Sequence, residues 1–196
     1  GDAVLRHIEK VPWKPTRAEA IKRAERWILD RQEADGSWGG IQPPWVYSLM
    51  ALSSLGYPSN HPVMIKGLTG FDNFAIEEED SLRIQACISP LWDTALATIG
   101  LADSGLQSNH PAMVKAAEWL LEEQILSDGD WQVKAKGVQA GGWAFEFDND
   151  VYPDIDDTAE IVMALDKITS HSPARKKQAI DRDIHWTLGM QSENGG

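Results

Sequence analysis

The chain has 196 residues, of which 42% are apolar, and this suits one or two globular domains with a real core. Its formal charge is −12, from 30 acidic and 18 basic residues, which argues against nucleic acid as a partner because phosphate backbones recruit lysine and arginine. No apolar run approaches the roughly 18 residues of a membrane-spanning helix. The single cysteine, Cys87, excludes an internal disulfide.

Helical patterns follow one another along the chain. We predict helices over 16–32, 44–56, 61–71, 89–105, 109–124, 157–168 and 173–191. The first opens with a Thr16–Glu19 capping box, and the acidic stretch EEED (77–80) is interpreted as a solvated loop. Apolar helices alternate with amphipathic ones, which is typical of two concentric helix layers. The predicted fold is therefore all-α, part of an α/α barrel or toroid built from helical repeats.

Two kinds of repeat support this fold. In SNHPVMIK (59–66) and SNHPAMVK (108–115), Ser-Asn is predicted to cap a helix with proline in its first turn. WILDRQEADGSW (27–38), WLLEEQILSDGDW (119–131) and WTLGMQSENGG (186–196) share Trp, then Gln five residues later, then an Asp/Asn-Gly turn. The first two add a Trp two residues after the Gly. The third reaches the chain end where that Trp is expected, which predicts that the chain is a piece of a longer protein.

An acidic cluster stands in VYPDIDDTAEIVMAL (151–165), just before a predicted helix. Asp157 and Glu160 fit a capping box, but helix capping leaves Asp154 and Asp156 unexplained. A calcium loop lacks the required Gly and Glu, and a magnesium site has no further support. A glycosidase pair of Asp154 and Asp157 would suit an α/α barrel, although the flanking segments offer few amide or hydroxyl side chains for sugar.

A fourth interpretation is a Brønsted acid for a very weak base. Clustered carboxylates cannot all ionise, so at least one keeps its proton near neutral pH. Such an acid can protonate an isolated alkene in a dry site, where aromatic faces stabilise the carbocation by about 1–2 kcal/mol each. The segment GVQAGGWAFEFDNDVYP (137–153) and the helix after SPLWDT supply nearby aromatics, namely Trp92, Trp143, Phe145, Phe147 and Tyr152.

These residues resemble the squalene–hopene cyclases, a family of class II triterpene cyclases, over essentially the whole chain. DIDD (154–157) fits the family's D-x-D-D acid motif, and the Trp/Gln repeats fit its Gln/Trp motifs. GGIQPPW (39–45), SPLWDT (89–94) and GGWAFEFDN (141–149) fit stretches that line its cavity. Near alternatives are a class II diterpene cyclase, which shares the acid motif, and an α/α-barrel glycoside hydrolase.

The resemblance implies two α/α barrel domains around an apolar cavity, in a monotopic homodimer on the cytoplasmic face of the membrane. Residues 1–88 would end one barrel, and residues 89–196 would begin the catalytic barrel. Squalene would be protonated and cyclised to hopene or hopanol, with no metal or organic cofactor. The isolated chain completes neither barrel and is expected to be inactive.

The resemblance also implies residue roles. Asp156 would be the proton donor, Asp154 and Asp157 would flank and tune it, and Asp93 would support the acid region. The residues expected to face the cation path are Trp92, Phe145 and Tyr152. At the opposite end Gln42 would hold a water molecule beside Pro43, and Ile41 would help to shape that end.

Overall fold

The computed structural model describes residues 16–146 and 151–195. The first part of the chain, residues 16–88, folds as three helices followed by a hairpin. In chain order its elements are α1 (Arg17–Leu29), α2 (Gln42–Ser54), α3 (Pro62–Gly70), a 3₁₀ turn (Phe71–Phe74), β1 (Ala75–Glu78) and β2 (Ser81–Ile84).

The second part, from residue 89 onward, is helical. Its elements are α4 (Pro90–Asp103), α5 (Pro111–Glu122), a 3₁₀ turn (Asp130–Val133), α6 (Ile155–Lys167) and α7 (Pro173–Met190). The predicted helical character of the chain is confirmed, while closure of the helices into a barrel stays a prediction. Among the described residues, no helix is both long enough and apolar enough to cross a bilayer.

The hairpin corrects the prediction of helices throughout. EEED (77–80), interpreted as a loop, supplies the end of β1 and the turn into β2. The strands are antiparallel, with Ala75 opposite Ile84 and Glu78 opposite Ser81. Residues 77–80 are all exposed, so the stretch is solvated as expected, but its first two residues are extended and its last two form a turn.

Histidine caps the two repeated helices, which corrects the predicted Ser-Asn caps. His61 and His110 lie immediately before α3 and α5 and are not helical themselves. Their Nδ1 atoms accept the backbone N–H of Val63 at 3.4 Å and of Ala112 at 3.2 Å. The proline that follows each histidine occupies the first helical position, where no hydrogen-bond donor is needed.

The predicted capping box at the start of α1 does not form. Thr16 already has helical backbone angles and makes no side-chain cap bond. Glu19 instead pairs with Arg23 one turn later, at 2.9 Å. Since both side chains are largely exposed, this pair contributes little to stability.

Each part of the chain has its own hydrophobic core. In the first part, the fully buried Trp45 stacks on Phe71 with ring centroids 4.3 Å apart and meets the edge of Phe74 at 5.0 Å. In the second part, α4, α5 and α6 bury a continuous cluster that includes Leu91, Leu120, Trp143, Ile161 and Leu165. The space between the two cores is where the predicted site residues meet.

The glutamines of two Gln/Trp repeats make equivalent bonds in the two parts. The Gln32 amide donates to the carbonyl of Val63 in α3 at 2.9 Å. The Gln124 amide donates to the carbonyls of Gly141 at 2.7 Å and of Ala179 in α7 at 2.9 Å. Each side chain therefore ties the turn after its own helix to a later helix, α3 for Gln32 and α7 for Gln124, which gives these glutamines a structural role.

Candidate active site

A cavity of about 1060 Å³ lies between the two parts of the chain, and we call it the aromatic cavity. The aromatic side chains on its walls are Trp27, Trp38, Trp92, Phe145, Tyr152 and Trp186. The carboxyl groups on its walls are Asp30, Glu33, Asp154, Asp156 and Asp157. An acidic cluster and an aromatic wall therefore share one space.

The acidic cluster is fixed to the core through Trp143. The backbone N–H of Asp154 donates to the carbonyl of Trp143 at 3.0 Å. The Trp143 N–H donates to the Thr158 hydroxyl at 2.8 Å, and the Trp143 indole N–H donates to the carbonyl of Leu120 at 2.6 Å. Because both Trp143 and Thr158 are fully buried, the start of α6 is held rigidly at the cavity wall.

Asp154, not Asp157, caps α6. Its Oδ1 accepts the backbone N–H of Asp157 at 3.0 Å. The predicted Asp157–Glu160 capping box is therefore wrong, because Asp157 already lies within the helix. This placement turns Asp157 inward, where the residue keeps only 2% of its surface exposed.

Asp157 is the most deeply buried carboxyl group of the cluster. Burial, followed by hydrogen bonding with Asp154 and the charges of Asp154 and Asp156, raises the pKa of Asp157 to about 8. Its Oδ1 is buried without a hydrogen-bond partner. A neutral carboxyl group is the state that such a site favours, since an ionised one would lack compensation.

Asp156 lies on the same cavity wall with its side chain exposed. It is thus the most exposed member of the cluster at the cavity, whereas Asp157 is almost fully buried. Its role as proton donor stays a prediction.

The structure brings together most of the predicted site residues. Those that line the aromatic cavity are Ile41, Trp92, Phe145, Tyr152, Asp154, Asp156 and Asp157. Trp92 and Phe145 are half-buried, whereas Tyr152 is 58% exposed. Phe147 falls outside the described residues.

Three predicted site residues are not among the described residues that line the cavity, namely Gln42, Pro43 and Asp93. The Gln42 amide donates to the backbone carbonyl of Gln85 at 2.6 Å. Asp93 is exposed in the first turn of α4. The roles expected for these residues stay predictions.

Trp38, Trp186 and Arg31 line the cavity but were not predicted to do so. Trp186 approaches closely because Gly142 lacks a side chain: a Cβ there would lie 2.9 Å from Trp186 Cε3. The two tryptophans belong to the Gln/Trp repeats, so their spacing was the available signal. Spacing alone does not tell which tryptophan meets a cavity.

Among residues 16–146 and 151–195, no group of three or more His, Cys, Asp or Glu side chains is arranged to hold a metal ion. Fold and site together define a class: a mostly helical protein that sets a partly protonated carboxyl cluster into an aromatic-walled cavity.

Comparison with known families identifies the family within this class. Residues 1–80 match the squalene-hopene cyclase N-terminal domain, and residues 88–196 match the squalene-hopene cyclase C-terminal domain. The chain therefore belongs to the squalene–hopene cyclase family. This membership leaves the diterpene cyclase and glycoside hydrolase alternatives without support.

Individual relatives agree with this assignment. The chain is 46% identical over 196 residues to a squalene–hopene cyclase of Alicyclobacillus acidocaldarius, and it covers 31% of that protein. It is 43% identical over 195 residues to a dammaradiene synthase of Dryopteris crassirhizoma, covering 28%. A squalene–hopene cyclase of Bradyrhizobium diazoefficiens is 38% identical over 197 residues, with 30% covered. The chain thus spans about a third of the length of these relatives.

Proposed function

We propose that this chain carries the acid cluster and part of the substrate cavity of a squalene–hopene cyclase. The whole protein would protonate squalene at a terminal double bond and close it through carbocations to hopene or hopanol. The observation that carries the proposal is that Asp156, Trp92 and Phe145 line the same cavity.

The chemistry requires an acid and a cavity that does not react. An alkene is a very weak base, so the acid must act where water does not compete for its proton. Aromatic faces stabilise a cation by about 1–2 kcal/mol each when desolvated, without forming a bond to it. Trp92 and Phe145, both half-buried at the cavity, suit that task.

The proton balance of the reaction is simple. The O–H bond of the Asp156 carboxyl group breaks, a C–H bond forms at the terminal alkene carbon, and a carboxylate and a tertiary carbocation remain. Ring closure moves the positive charge along the chain. The final cation loses a proton to a base, giving hopene, or adds water and then loses a proton, giving hopanol.

Neighbouring residues would tune these steps. A neutral Asp157 limits the negative charge around Asp156, and Asp154 fixes the start of α6. Asp93 would support the acid region. Gln42, with Pro43 and Ile41, would bound the far end, where water takes the last proton or adds.

The architecture of the whole protein is also a proposal. Residues 1–88 would form the end of one α/α barrel and residues 89–196 would begin the catalytic barrel, consistent with family matches of which one ends at residue 80 and the other begins at residue 88. The whole protein would be a monotopic homodimer on the cytoplasmic face of the membrane. The chain by itself would be inactive.

A chimera tests the function. Residues 1–196 would replace the matching segment of the Alicyclobacillus acidocaldarius enzyme, and the purified chimera would receive squalene or geranylgeranyl diphosphate. We expect a cyclised product isomeric with squalene, or its hydrate, by gas chromatography–mass spectrometry, and no reaction of the diphosphate. A chimera with native-like circular dichroism and thermal unfolding that returns squalene unchanged would contradict the proposal.

A further inference from the structure

Arg31 is the one basic side chain among the described residues that line the aromatic cavity. It follows the end of α1, and its side chain is 25% exposed. Its Nε donates to Oδ2 of Asp130 at 2.7 Å, and its Nη2 donates to Oδ1 of the same carboxylate. Its Cζ lies 4.3 Å from the centre of the Trp27 ring. The guanidinium is therefore held by a bidentate carboxylate and by an aromatic face.

Asp130 stays ionised opposite this guanidinium. The hydrogen bonds from Arg31 are the main cause that lowers the pKa of Asp130, and the charge of Arg31 acts in the same direction, whereas burial opposes it. The pair therefore carries no net charge across the neutral range.

The pair connects the two parts of the chain, because its members lie 99 positions apart. The principal helix–helix contacts are all within one part or the other. The Arg31–Asp130 pair thus bridges two parts between which the described residues make no principal helix–helix contact.

We propose that Arg31 and Asp130 form a neutral clamp, a positioning pair that fixes the separation of the cavity walls and neutralises the guanidinium that would otherwise oppose a carbocation. This inference rests on the proposed function. It assigns to the clamp a part in specificity, since the separation of the walls decides how completely a flexible polyprenoid is folded before it cyclises.

A set of substitutions in the chimera separates charge from packing. Asp130→Asn leaves the Arg31 charge unpaired, Arg31→Gln removes the charge, and the double variant removes both charges but keeps groups that can hydrogen-bond. Asp128→Asn makes the same chemical change at an exposed position two residues away and serves as the matched control.

We expect Asp130→Asn to lower kcat/KM for squalene by roughly tenfold and to raise the share of partly cyclised products, since one partner of a partly desolvated ion pair is lost. Adding Arg31→Gln to Asp130→Asn should recover much of the loss, because the unpaired charge disappears. A purely structural role would make the double variant at least as poor as the single one. That result, or an Asp130→Asn product spectrum equal to that of Asp128→Asn, would overturn the clamp.

A distance measurement tests the clamp without catalysis. In the 196-residue chain with Cys87→Ser, nitroxide labels at Asn60→Cys and Lys115→Cys, both exposed, report the separation of the two parts. Double electron–electron resonance should give a narrow distribution that broadens with Asp130→Asn and not with Asp128→Asn. Equal distributions would overturn the clamp. If the unsubstituted chimera makes no cyclised product, the proposed function has failed, and this measurement alone decides on the clamp.

Discussion

Replacing Asp157 with asparagine tests whether a neutral carboxyl group is built into the acid cluster. The two side chains have nearly the same shape, but the amide cannot ionise. Burial raises the pKa of Asp157 from 3.8 to about 8 in the folded chain. Between those values the folded state binds the proton more tightly than the unfolded state does. The stabilisation is therefore fully present below about pH 4 and is lost as the pH rises through about 8.

The magnitude follows from the pKa shift. A proton bound only by the folded state makes the free energy of unfolding fall by about 1.4 kcal/mol per pH unit. A pKa that moves from 3.8 to about 8 sets an upper limit of about 6 kcal/mol on the total change. Asparagine, which is neutral at every pH, removes this dependence.

Urea unfolding of the 196-residue chain at pH 5 to 9, followed by tryptophan fluorescence, measures the effect. The stability of the unsubstituted chain minus that of Asp157→Asn should fall by about 1.4 kcal/mol per pH unit up to pH 8 and then level off. Asp166→Asn, an exposed change in the same helix, removes the same formal charge and is the matched control. A difference for Asp157→Asn that stays constant with pH would refute a buried neutral acid.

Three further substitutions test the scaffold. Burial raises the pKa of Asp183 to about 6. As the pH rises from 4 to 7, the unsubstituted chain should therefore lose up to about 3 kcal/mol of stability relative to Asp183→Asn. A stability difference in thermal unfolding that is equal at the two pH values would contradict this. Gln124→Ala leaves the carbonyls of Gly141 and Ala179 without the amide that donates to them, and it should lower the free energy of unfolding in urea by about 2–4 kcal/mol. A loss below about 0.5 kcal/mol would show that these two hydrogen bonds do not hold the helices together. His110→Ala should cost about 1 kcal/mol in the same assay, while His110→Asn should retain the cap; equal losses would argue against capping.

The helices could be predicted because their signals are local. Proline at the first helical position and an apolar period mark α3, α4, α5 and α7. The hairpin could not be predicted in the same way. Its two strands have four residues each and bury no regular face, so AIEE and SLRI carry no alternation that separates strand from loop.

The acid cluster could be located from the sequence, but its internal division of roles could not. Asp154, Asp156 and Asp157 are close in sequence, and the phase of α6 against Trp143 decides which one is buried. The residues that line the cavity could likewise be predicted only in part. Motifs indicated Trp92, whereas the pairing of Arg31 with Asp130, which is remote in sequence, leaves no local signal for Arg31 at the cavity.

The most direct test of acid-initiated cyclisation is the activity of Asp156→Asn in the chimera with squalene, with Asp166→Asn as the matched control. Because a general acid typically contributes about 10²–10⁴-fold, we predict that kcat falls by at least about 100-fold while the folded state and its thermal unfolding are unchanged. Cyclisation by Asp156→Asn at the rate of the control would contradict the assignment of the proton donor.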